Sequence, residues 1–361
     1  MISRRSVLAT PLALAACDRF AQAGTAPPAT EATPLKDVIP CPFGATANSA
    51  QLEDAAFVTA MLRHVDQVTP EWELKMERTL QAGFGTDFSA ADRVVDWARD
   101  QDLAVHGHTL IWYSQGAEVF HDDLDRRTFT REFDRYVRET AGRYCGRMRG
   151  WDVVNEPVAE DGEGLRDCHW SRVLGVEGYI VRAFELAREA DPDAVLFLNE
   201  YNLENIPAKG ATFLKLVEKL KGMGAPIDGI GTQSHLNIEI PAGRISGFIR
   251  DAASLGLPIH VSELDFPRTR DGGGMPDLRT PAQKTAQQVA RVGELAEAYF
   301  ALPERQRYGL TTWGLRDPDS WLLRPEHKNW ADDHPLLLDV EGRANPAYQA
   351  VVDAATGRAG S

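Results

Sequence analysis

The sequence predicts an α/β chain closed into a single-domain (β/α)8 TIM barrel, and three observations carry that reading. Short β-rich runs alternate with longer stretches in which apolar residues recur every three or four positions. The alternation repeats eight times, which fits a closed parallel barrel. The most chemically capable side chains fall at the carboxyl ends of the β-rich runs, where such barrels carry their sites. A doubly wound open sheet is the rival, but no Gly-rich dinucleotide turn follows the first run.

The strands are expected over 43–47, 67–70, 104–108, 150–155, 195–199, 229–234, 259–263 and 310–313. Between them the 3.6-residue period marks helices over 90–100, 131–143, 179–191, 211–223, 245–255 and 281–300, and 346–354 closes the chain. Val181, Phe184, Leu186 and Ala187 show the pattern. From residue 41 to about 355 no linker or low-complexity run interrupts it, so one domain over 41–356 is expected although 361 residues could hold two.

An apolar share of 43% and a charged share of 25% are those of a globular protein able to bury a core. The net charge of −14 argues against nucleic acid or an anionic membrane surface as partner, and leaves a neutral polymer open. Residues 1–23 read as an export signal. Ser3-Arg4-Arg5-Ser6-Val7-Leu8 resembles a twin-arginine signal, and the apolar run 7–16 is too short to span a bilayer. Leu14-Ala15-Ala16-Cys17 resembles a bacterial lipobox that would lipidate Cys17; cleavage after Ala23 is the alternative. The expected location is outside a bacterial cytoplasm: periplasmic, lipid-anchored or secreted. Residues 24–40, rich in Ala, Pro and Thr, are expected to be a tether. With Cys17 assigned to the signal, Cys41, Cys145 and Cys168 remain, and no required disulfide is expected. No Cys/His spacing suggests a metal site, and a monomer is expected.

Two segments carry the chemistry. Trp151-Asp152-Val153-Val154-Asn155-Glu156-Pro157 delivers a carboxylate and an amide to the mouth of the fourth strand. Ile259-His260-Val261-Ser262-Glu263-Leu264-Asp265 does the same for a second carboxylate on the seventh. Two carboxyls about 5–5.5 Å apart are the apparatus of a retaining glycosidase. Glu263, fixed at the end of an apolar strand, suits the nucleophile. Glu156 suits the acid/base, since burial and a neighbouring carboxylate both favour a protonated acid. Asn155 can bond the sugar 2-hydroxyl, and His235 can bond Glu263 with Asp265 behind it. Gln233 and His108 stand at the same mouth. Trp112, Trp313 and Trp321 offer flat faces to a pyranose.

With these residues in view, the chain resembles glycoside hydrolase family 10, the endo-1,4-β-xylanases, from about Phe43 to Tyr348. The resemblance rests on Gly107-His108-Thr109-Leu110-Ile111-Trp112, on Trp151 to Pro157, and on Leu198-Asn199-Glu200-Tyr201-Asn202. Asp228-Gly229-Ile230-Gly231-Thr232-Gln233-Ser234-His235 and Ser262-Glu263-Leu264-Asp265 follow in order. Thr312-Trp313-Gly314-Leu315 and Asp317-Pro318-Asp319-Ser320-Trp321 complete it. It implies a barrel, double displacement without a cofactor, Glu156 as acid/base and Glu263 as nucleophile, and xylan or its oligosaccharides as substrate.

Departures from the family pattern bear on specificity. The glycone-side motif Glu-Asn-x-x-Lys-Trp reads Glu71-Trp72-Glu73-Leu74-Lys75-Met76 here. The resemblance makes Glu71 and Lys75 sugar ligands, whereas Trp72 stacks on a sugar, narrows that subsite, or packs in its loop. Tyr113 replaces a usual histidine in Trp112-Tyr113-Ser114-Gln115, with Gln115 expected at the substrate. Arg316 is expected towards the distal cleft. The alternatives are a retaining β-glycosidase acting on other β-1,4-glucans or short xylo-oligosaccharides, and a sugar-binding lipoprotein without turnover.

Overall fold

The computed structural model describes residues 32–121, 123–269, 277–324 and 333–358. The expected export signal, Cys17 and the first part of the expected tether lie outside these residues. Eight strands form a closed barrel in chain order: β1 (Phe43–Ala47), β2 (Gln67–Pro70), β3 (Ala104–Trp112), β4 (Gly150–Asn155), β5 (Val195–Glu200), β6 (Gly229–Thr232), β7 (Ile259–Leu264) and β8 (Arg307–Thr312). Every neighbouring pair is parallel, and β1 closes on β8 through Phe43 opposite Leu310.

The helices described are α1 (Leu35–Val38), α2 (Ala55–His64), α3 (Met76–Thr79), α4 (Ser89–Asp100), α5 (Arg126–Arg143) and α6 (His169–Leu174). They continue as α7 (Gly178–Ala190), α8 (Pro207–Gly222), α9 (Arg244–Ala253), α10 (Pro281–Phe300) and α11 (Pro346–Thr356). Caps set several starts. Thr280 accepts from Gln283 N while the Gln283 side chain accepts from Thr280 N, with Pro281 in the first turn, so α10 begins where its sequence says. Asp125 accepts from Thr128 N at 3.0 Å and starts α5 five residues before the expected position. Helix α2 was not expected at all; Asp54 caps Ala56 N, and Phe57 and Met61 lie one turn apart on its buried face.

Residues 32–40 also depart from the sequence reading. They belong to the folded body, not to a tether: Leu35 is fully buried, and Lys36 Nζ donates to Leu62 O at 2.6 Å. Two apolar residues, Leu35 and Ile39, anchor a segment whose average composition looks like linker. Cys41, Cys145 and Cys168 are free thiols, and burial pushes the Cys41 thiol up to about 12.

Close strand approach depends on glycine at one position in particular. Gly107 on β3 is in register with Trp151 on β4, and the indole lies where a Cβ would stand. Trp151 is fully buried and its Nε1 donates to Asp191 Oδ2 at 3.2 Å, so it cannot swing away freely. Gly107→Ala is therefore an overpacking substitution, expected to cost about 1–3 kcal/mol. A thermal melt should show a lowered Tm, and an unchanged Tm would mean that the indole yields without cost.

Candidate active site

The parallel topology brings all eight strand ends to one mouth, and the polar residues meet there. A cavity of about 260 Å³ is lined by Asn155 and Glu156 from β4, Glu263 from β7, and Gln233 and His235 beyond β6. His108 and Trp112 from β3, with Lys75, Trp313 and Trp321, complete much of its wall. These ten expected residues are brought together by the fold. Both carboxyl residues are buried, Glu156 at 8% and Glu263 at 4% exposure.

Glu156 sits just past the end of β4 with a left-handed backbone, φ 58°. A non-glycine residue in that region is held there by its surroundings. Here the Glu156 amide donates to Asn199 O at 2.8 Å, which turns the side chain into the cavity. Its Oε2 accepts from Trp112 Nε1 at 2.8 Å; its Oε1 accepts from Gln233 Nε2 at 2.9 Å and from Asn155 Nδ2 at 3.1 Å.

Glu263 has a different setting. Asn199 Nδ2 donates to its Oε1 at 2.8 Å and to Asn155 Oδ1 at 2.9 Å, so one amide ties the two carboxyl neighbourhoods together. Ser262 Oγ in turn holds Asn199 Oδ1 at 2.8 Å. Two histidines approach the carboxylate, His235 Nε2 at 3.5 Å and His108 Nδ1 at 3.9 Å. Each has a carboxylate of its own. His235 Nδ1 lies 2.8 Å from Asp265 Oδ2, and His108 Nδ1 lies 2.8 Å from Asp152 Oδ2. Asp265 Oδ2 also accepts from Trp321 Nε1 at 2.9 Å, which fixes that ring at the cavity edge.

These contacts set charge. Burial, the largest influence on Glu263, raises its pKa. The positive field of His108, the hydrogen bond and charge of His235, and Lys75 together outweigh it and hold the carboxyl below its ordinary value. For His235 burial again acts first, favouring the neutral ring. The charge and hydrogen bond of Asp265, then those of Glu263, reverse this and push the imidazole up to about 10. His235 is thus a cation at neutral pH. Its contribution to folding is complete below its unfolded value near 6.5 and is lost as pH rises through about 10.

Some functional neighbours lie in a segment quoted for its resemblance but given no role from sequence. Asn199 bridges the two carboxyl neighbourhoods, and Tyr201 lines the cavity. Glu200 is fully buried 3.1 Å from Lys209 Nζ, and burial, eased by Lys209 and reinforced by the charge of Glu156, pushes its carboxyl up to about 8. Their sequence signal is a second Asn-Glu pair, at the end of β5. Beyond it, the Arg166 guanidinium lies over Tyr113 at 4.1 Å and bonds the Tyr201 hydroxyl.

Three expected sugar ligands lie beside the cavity rather than in its wall. Gln115 is 5% exposed and its Oε1 accepts from Glu77 N at 3.4 Å. Glu71 is engaged by Asn48 and Arg324, and Trp72 lies beneath the Arg324 guanidinium. Arg316 does not face the distal cleft. It is 9% exposed and paired with Asp319 and Asp54, because two carboxylates outcompete an open groove for its guanidinium.

The profile of glycosyl hydrolase family 10 matches residues 35–354. The chain is 34% identical over 335 residues to endo-1,4-beta-xylanase B of Paenibacillus barcinonensis, covering 87% of this chain and 98% of that protein. It is 33% identical over 314 residues to endo-1,4-beta-xylanase A of Cellvibrio japonicus, covering 81% of this chain but only about half, 51%, of that longer protein. A crystal structure of a Cellvibrio japonicus xylanase 10C mutant in complex with xylopentaose superposes with a TM-score of 0.82 at 28% identity, covering 90% of this chain and 69% of that one. On the strength of the profile match, the chain belongs to glycosyl hydrolase family 10.

Proposed function

We propose that the chain is a retaining endo-1,4-β-xylanase that hydrolyses internal β-1,4-xylosidic bonds of xylan. The observation that carries the reading is one cavity holding two buried carboxyls in unlike surroundings, one beside His235 and His108 and one among neutral donors. The names of its relatives, and a sugar-bound neighbour of the same fold, supply the substrate class.

In the first step Glu263, kept ionised by His235 and His108, attacks the anomeric carbon. Glu156 gives a proton to the departing oxygen, and the sugar is left as an ester on Glu263. In the second step the ester no longer carries the Glu263 charge. Glu156 then takes a proton from water, which attacks the same carbon and restores the original anomeric configuration. Asn155, held by Asn199 and Gln233, is placed to bond the 2-hydroxyl as charge develops. Trp313, 6% exposed and edge-on to His108 at 5.2 Å, gives a rigid apolar wall for the ring. Lys75 spans Trp112 and Trp313, with Nζ 5.2 and 5.3 Å from their ring centroids, so its charge stands over the same sugar.

Export fits a substrate too large to enter a cell, and the twin-arginine-like start of the chain supports it. Among the described residues no helix is long and apolar enough to cross a membrane. A lipid at Cys17 or release after cleavage are the two fates in play.

Glu263→Ala should abolish hydrolysis of xylan, and added azide should restore turnover of an activated aryl xyloside with the product in the opposite anomeric configuration. Retained configuration in the azide product would remove Glu263 from the nucleophile's role. Glu156→Ala should lower kcat on xylan by about 10²–10⁴-fold. On aryl xylosides with good leaving groups its loss should be far smaller, because they depart without a proton; equal losses on both would contradict an acid.

His235→Gln removes a positive partner that lowers the Glu263 carboxyl, so that carboxyl should rise towards its ordinary value. The active form needs Glu263 ionised, and activity on the acid side is lost as pH falls through its pKa. The acid limb of the kcat/KM profile should therefore move to higher pH in the variant. A stationary limb would show that His235 does not tune the nucleophile.

A further inference from the structure

On the side that carries Lys75, the glycone side in the glycosidase reading, the chain packs its own side chains at the barrel mouth. Lys75 and Trp321 line the cavity, whereas Glu71, four residues before Lys75, and Arg324, three after Trp321, do not. Glu71 follows directly on the end of β2, so its carboxylate stands at the barrel mouth, yet it is 3% exposed. Its Oε2 accepts from Asn48 Nδ2 at 2.9 Å, and its Oε1 is held by the Arg324 guanidinium. The same guanidinium lies over the Trp72 indole with Cζ 4.4 Å from the ring centroid; Arg78 also approaches that ring, at 5.9 Å. Acid, ring and arginine form one closed stack.

We propose that Arg324, seated on Trp72 and paired with Glu71, walls off the glycone side, so that only one sugar is gripped strongly on that side of the scissile bond. This rests on the glycosidase reading above. Both Glu71 oxygens have donors, so the hydroxyls of a second sugar meet a carboxylate already engaged. An arginine–carboxylate contact is charge-assisted and roughly twice as strong as a neutral hydrogen bond. Displacing Arg324 also forfeits its stacking on Trp72. A neutral hydroxyl loses that competition. Trp72 stands where an amide would leave a gap, and its ring is the seat that keeps the guanidinium in place. The Arg324 side chain is 31% exposed, so shortening it leaves no void in the core and opens Glu71 to solvent and substrate.

The test compares p-nitrophenyl β-xyloside with p-nitrophenyl β-xylobioside, which differ by one glycone sugar. In the wild type the second sugar should improve kcat/KM little. In Arg324→Ala the improvement should rise by about tenfold, the return of one hydrogen bond to a charged acceptor, while turnover of the monoxyloside stays the same. Arg324→Lys, which keeps the charge but not the flat stack, should fall between them. The same improvement in wild type and Arg324→Ala would overturn the proposal. A wild type inert towards both glycosides would instead sink the glycosidase reading. Titration calorimetry with xylotriose then reads the wall separately: about tenfold tighter binding to Arg324→Ala supports it, and equal binding overturns it.

Discussion

A carboxylate 4% exposed can stay ionised only if cations share its burial, and that requirement organises the mouth of this barrel. Glu263 meets it with His235 and His108, and each histidine meets its own requirement with Asp265 and Asp152. Asp152 in turn has His106 Nε2 3.0 Å away, and burial, the largest influence on it, is outweighed by the two histidines, which hold its carboxyl well below the usual range. Carboxylate and imidazole alternate from the mouth into the barrel interior. Removing one member leaves its neighbour buried and unpaired, which costs more than the pair contributes.

The same interior explains the packing around it. Charged and polar side chains fill the barrel, so the apolar burial that stabilises the fold comes largely from the layer between strands and helices. Trp151, Phe133, Tyr136, Phe184 and Tyr144 are all fully buried, and Trp151 caps onto Asp191 just after α7. Gly107 is the local condition for this, since any side chain there would compete with the indole. Glu156 keeps its left-handed backbone just past the end of β4, held by its amide's bond to Asn199 O.

Most of this was legible in the sequence because it is written in short-range patterns. Seven of the strands begin where the β-rich runs begin and end within four residues of them, and the helices carried their own period and caps. Strand β8 starts earlier than expected, at Arg307, and its Tyr308 is 5% exposed beneath the Arg149 guanidinium, 3.7 Å from its ring. Helix α2 and the segment 32–40 were missed because a few anchors, Phe57, Met61, Leu35 and Ile39, do the burying within otherwise bland composition. At the site, residues on strand ends could be placed from their position alone. Loop residues could not: Arg316 and Arg324 both follow β8, and only three-dimensional pairing tells that one turns to Asp319 and Asp54 and the other to Glu71.

The two carboxyls differ in their neighbours and not in depth, since both are buried. The hydrogen bonds that reach Glu156 come from an indole and two amides, groups that carry no charge at any working pH. Those near Glu263 include a histidine that is cationic at neutral pH. The neutral donors orient the Glu156 carboxyl and bring no charge of their own, which suits the acid/base role proposed for it. A cation penalises protonation, which suits the nucleophile's role proposed for Glu263. Asn199 shares its amide between Glu263 and the Asn155 carbonyl, so one side chain fixes the Glu263 carboxylate and the amide beside Glu156 together. The two carboxyls thus stand in different electrical surroundings and are tied to each other through one side chain.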